Sequence, residues 1–117
     1  MKDLIVITTL GSLDDMALIF GADHHMAEAG HYVANTDHGH IYISQGQGMI
    51  AYYEKDEVQM ILEVIKDPCF YVLACRRIDA LIDGLEELTT KYPTLIDDDH
   101  GFIGSIVDYL NKIRGIG

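Results

Sequence analysis

Five histidines, His24, His25, His31, His38 and His40, lie within 17 residues, with Asp23 and Asp37 among them. Imidazole and carboxylate ligate zinc and related ions, so this stretch is where a metal would be sought. The spacing does not prescribe a site. His24 and His25 are adjacent, so on a helix they diverge by about 100°, and no HExxH pair places two histidines one turn apart. Asp-His-Gly occurs twice, at Asp37-His38-Gly39 and at Asp99-His100-Gly101. An aspartate there could orient a histidine as a general base. The same triplet makes a tight turn, with the aspartate side chain capping and the glycine supplying a positive φ. Its presence in two places favours the turn. Cys75, beside Arg76 and Arg77, is the thiol best placed to act as a nucleophile. No Ser-His-Asp elbow, phosphate loop, dinucleotide fingerprint or CxxC pair occurs, and Gln45-Gly46-Gln47-Gly48 reads as a turn. The expectation is a chain that is not an enzyme and holds no cofactor or metal.

Carboxylates form three groups: Asp14 and Asp15; Glu54, Asp56 and Glu57; and Asp97, Asp98 and Asp99. Consecutive aspartates could bind a divalent cation, form a solvated loop, or meet a basic protein. Tyr52 and Tyr53 precede the second group, and tyrosine flanked by carboxylates suits an interface with a cationic partner. The expected partner-binding set is Asp97, Asp98, Asp99, Tyr52, Tyr53, Glu54, Asp56 and Glu57.

The elements that must position these residues follow from pattern. Leu4 to Thr9 is apolar and β-branched, hence a strand. Ser12 followed by Asp15 forms a capping signal for a helix running towards Ala29 and ending at Gly30. His31 to Thr36 and His40 to Ser44 read as strands joined by the first Asp-His-Gly turn. Residues 45–54 read as an extra hairpin strand, and Asp56 to Lys66 as a helix stopped by Pro68. Cys69 to Cys75 is a strand; fully extended, it keeps the two thiols about 20 Å apart, too far for a disulfide. A helix fills Ile78 to about Lys91, Thr94 to Asp97 is a short strand, and Ser105 with Asp108 opens a last helix.

Two local matches suggest duplication. Ala17-Leu18-Ile19-Phe20-Gly21 returns as Ala80-Leu81-Ile82-Asp83-Gly84, and the Asp-His-Gly turn returns 62 residues later. The expected fold is α/β, or α+β: a mixed sheet covered by helices, built from pseudo-symmetric β-α-β-turn-α halves. These are residues 1–67 and 68–117 of one domain.

The 117 residues carry 19 acidic and 8 basic side chains, a net charge of −11, with 49% hydrophobic residues. So apolar a chain is not a disordered acidic tail. The charge argues against nucleic acid and against anionic membrane, both of which need surplus Lys and Arg. The N-terminal apolar run is short and lacks a basic flank, and no window approaches 18 apolar residues. With two reduced cysteines, that implies a cytoplasmic protein.

Asp23-His24-His25 shares its triplet with the DHH phosphoesterases, but the further metal-binding aspartate motifs of those enzymes are missing. The segment Leu95-Ile96-Asp97-Asp98-Asp99-His100-Gly101 following a helix, together with size and charge, resembles the small acidic immunity proteins that bacteria pair with toxins. The resemblance implies an inhibitor that neutralises a cognate basic toxin, of nuclease type, by masking its cationic site, with the acidic loop at the interface. The alternatives are a metal-binding protein or small hydrolase using His24 to His40, and a homodimeric module pairing through an exposed sheet edge.

Overall fold

The computed structural model describes residues 2–21, 26–28, 31–46 and 48–115. The N-terminal strand β1 (Lys2–Thr8) runs through the middle of the sheet. Leu4, Val6 and Thr8 face one side and Ile5 and Ile7 the other. All but Ile5 are fully buried. A strand covered on both faces needs apolar residues at successive positions, which is why this run shows no alternation.

The chain continues as α1 (Leu13–Ile19), β2 (Met26–Glu28), β3 (His31–Thr36), β4 (Gly39–Gln45), a 3-10 helix (Met49–Tyr52) and α2 (Lys55–Val64). Then come β5 (Cys69–Cys75), α3 (Asp79–Lys91), β6 (Thr94–Asp97), β7 (Ile103–Ser105) and α4 (Ile106–Ile113). The seven strands form one sheet in the order β2-β3-β4-β5-β1-β6-β7, so strands of both halves share it. It is an α+β fold, helices on a sheet. Every pairing is antiparallel, where mixed directions were expected. Helices α1, α3 and α4 pack on one face over the main core, centred on Leu4, Val6, Ile43, Leu73 and Ile96. On the other face, Ile61 of α2 and Ile65, its C-cap, close a smaller core over Ile7, Phe70 and Leu95.

Two expectations about single elements need correction. Helix α1 has seven residues and does not run to Ala29. Ser12 caps it, its Oγ accepting from the Asp15 N–H at 3.3 Å, but Gly21 at φ +81° ends it in the left-handed conformation that stops a helix. Residues 45–54 do not make an extra hairpin strand. β5 already has β4 and β1 on its two edges, and Gly48 at φ +71° turns the chain into the 3-10 helix. Met49, Ile50 and Tyr53 of this segment pack on the smaller core.

The two halves also join the sheet differently. β4, which follows the first turn, lies beside β5, whereas β6, which precedes the second, lies beside β1. Consequently β3 runs opposite to β1 while β6 runs with β5. The short β2 reverses the chain and has no counterpart between α3 and β6. The likeness survives in the turns. Thr36 Oγ1 accepts from the His38 N–H at 3.1 Å, and 62 residues later Asp98 Oδ1 accepts from the His100 N–H at 2.8 Å. Gly39 and Gly101 follow at φ +113° and +91°. The capping residue is the one before the triplet in each case, one position earlier than expected.

Among the described residues no helix is long and apolar enough to cross a membrane. Cys69 and Cys75 form no disulfide; they end opposite ends of β5.

Candidate partner-binding cleft

Asp97, at the end of β6, begins an acidic loop whose side chains serve two different purposes. Asp97 is 9% exposed: its Oδ1 accepts from the Asp99 N–H at 2.8 Å, and its Oδ2 accepts from the Tyr53 hydroxyl at 2.7 Å. Asp98 is 5% exposed, and its Oδ1 accepts from the N–H groups of His100 at 2.8 Å and Phe102 at 3.0 Å. Its Oδ2 meets Lys112 Nζ of α4 at 3.0 Å. Burial alone would raise the Asp98 pKa, but Lys112 and these two N–H groups together hold it below the ordinary carboxylate value. Both carboxylates therefore brace the loop from within. The third is presented outward. Asp99 is exposed, at φ +60°.

The second acidic group reaches the same place from 44 positions away, through the Tyr53–Asp97 bond. The 3-10 helix delivers Tyr52 outward, 85% exposed, while Tyr53 turns in and stacks on Phe70 with ring centroids 5.7 Å apart. Glu57 opens α2: its Oε1 accepts from the Glu54 N–H at 2.9 Å, half of a capping box. The result is a cleft of about 260 Å³ lined by Tyr52, Tyr53, Glu57, Asp97, Asp99 and Ile103, with Gly101 at its rim. Burial pushes the Tyr53 phenol well above its ordinary pKa. The Asp97 hydrogen bond and then the charges of Asp97, Glu57 and Asp99 push it further. The phenol thus reports three carboxylates around one opening. Of the eight expected residues, the fold brings five into the cleft; Asp98 supports it from behind, and Glu54 and Asp56 lie exposed at the start of α2 without lining it.

The first Asp-His-Gly turn borders another cavity, of about 400 Å³, where Asp37 and His38 meet Asp79 and Asp83 of α3. The packing of α1 against α3 brings that turn to α3, and no local signal in the sequence announces it. No hydrogen bond joins Asp37 to His38 or Asp99 to His100 among the described residues, so neither turn holds an Asp-oriented base. The larger cavity has no exposed aromatic ring, whereas the smaller cleft has Tyr52 at its mouth. Aromatic anchors carry most interface energy, so the smaller cleft is the better binding candidate.

His24 and His25 lie outside the described residues. His31 and His40 sit at opposite ends of the β3–β4 hairpin, paired with Ser44 and Asn35 respectively, and His38 occupies the turn. No group of three metal-ligating side chains is present among the described residues. The arrangement can receive a cationic side chain, its stem on the Tyr52 ring and its head against Asp99 and Glu57. No family model, curated protein or solved structure matches the chain.

Proposed function

We propose that this chain is a cytoplasmic inhibitor of the immunity type, which captures a basic partner, a toxin of nuclease class, in the cleft formed by Tyr52, Glu57 and Asp99. The observation that supports this is the meeting of two acidic segments, distant in sequence, around a tyrosine left 85% exposed. A net charge of −11 steers a cationic partner towards the molecule, and the cleft gives it a place to dock. Masking the positive surface that binds phosphate would block a nuclease without any catalytic step by the inhibitor.

The test takes the protein encoded by the neighbouring reading frame and measures its capture and neutralisation. Tyr52→Ala is expected to weaken binding by about 2 kcal/mol, the scale of an interface anchor, mostly through faster dissociation. Asp99→Lys is expected to slow association, with the loss shrinking as salt screens charges beyond about 8–10 Å. Unchanged neutralisation by the Tyr52→Ala, Asp99→Lys double variant would remove this cleft from the interface.

A further inference from the structure

Of the three arginines on this acidic chain, two lie beside carboxylates. Arg77 lies 3.2 Å from Asp79, Arg114 3.7 Å from Glu86, and Lys91 and Lys112 are paired with Glu87 and Asp98. Arg76, next to Arg77, has no ion pair among the described residues. It borders a pocket of about 380 Å³ whose other walls are Gly39, His40 and Tyr42. None of these residues is acidic, so the pocket reverses the charge that dominates the rest of the surface.

The walls are arranged for recognition. His40 Nδ1 is hydrogen-bonded to Asn35 Oδ1, its cross-strand neighbour. Tyr42, 39% exposed, adds an aromatic wall. Gly39, at φ +113°, has open space where a side chain would project, so the backbone leaves that side of the pocket unobstructed.

We propose that this pocket binds a small organic carboxylate with a flat apolar body. The Arg76 guanidinium matches a carboxylate in a two-pronged geometry, and the Tyr42 ring stacks on the body. A volume near the lower end for ligand pockets suits an acid built on a single ring. One permanent cation balances one negative charge. A phosphate dianion would leave excess negative charge on a molecule that already carries −11. The inference is independent of the acidic cleft, which takes ligands of the opposite sign.

Amide NMR titration of the intact chain with benzoate tests it. The expected result is a saturable shift confined to Gly39, His40, Tyr42, Arg76 and their neighbours, absent with benzyl alcohol. Arg76→Gln, at an exposed position that leaves the remaining spectrum unchanged, is expected to weaken benzoate binding by about tenfold or more, the scale of one charge-assisted hydrogen bond. Equal responses to benzoate and benzyl alcohol, or an Arg76→Gln variant that binds as well as the parent, would overturn the site. Tighter binding of phenyl phosphate than of benzoate would overturn the carboxylate assignment.

Discussion

Replacing Asp98 tests whether the acidic loop is held from within. Asp98→Ala removes the acceptor of two backbone N–H groups, those of His100 and Phe102, and the partner of Lys112. A buried N–H left without an acceptor costs about 1–3 kcal/mol. Lys112 is half-exposed and regains water, so its ion pair contributes under about 1 kcal/mol. The loop is partly wet, which places the sum at about 2–4 kcal/mol, or roughly 8–16 °C in Tm for a chain of this size. Asp98→Asn keeps the Oδ1 acceptor and loses only the ion pair, so it should cost about 1 kcal/mol. Urea unfolding followed by circular dichroism at pH 7 measures both. The folded pKa of Asp98 lies below its unfolded value of about 3.9. Its contribution is therefore complete above about pH 4 and is lost as the pH falls through the folded value. Both variants should show a shallower acid limb than the parent. An Asp98→Ala cost below about 0.5 kcal/mol, the range of ordinary surface changes, would refute the assignment of this carboxylate to the loop.

Two further outcomes follow from the core. A methyl group added by Gly84→Ala would overlap the ring of buried Phe20. The overpacking cost of about 1–3 kcal/mol should exceed the helix-propensity gain of about 1, and thermal unfolding would show a net loss. Burial, and then the charges of Cys69 and Asp15, push the Tyr71 phenol up to about 12; its hydroxyl donates to the Leu10 carbonyl at 2.5 Å. Its stabilisation is complete below about pH 10 and is lost as the pH rises towards 12, so tyrosinate absorbance should show a late phase, shared with Tyr53 and Tyr109, whose amplitude Tyr71→Phe reduces by one tyrosine.

Strands whose residues fit one local rule were legible in the sequence. β5 and β6 occupy the spans their apolar runs indicate, and Ser12 and Ser105 cap helices as their spacing implies. Helix α1 misled because Ala27 and Ala29 continue an apolar rhythm that Gly21 has already interrupted. The sheet order could not be read, because it depends on the chain reversal by β2 and on pairings such as Ile43 with Leu73, 30 positions apart. In the cleft, the sequence shows which residues are acidic but not which of them the fold buries. Asp97, Asp98 and Asp99 look alike in sequence, yet a hydroxyl 44 positions away and a lysine 14 positions away bury the first two and leave the third outward.

Among the described residues the sheet ends at both edges in strands of three residues, β2 and β7. Ser105 is at once the last residue of β7 and the cap of α4, so the outer edge bends into a helix almost as soon as it forms. A foreign strand laid there would gain only about two backbone hydrogen bonds before running into that helix. At the β7 edge, contact with another chain is left to side chains rather than to strand addition.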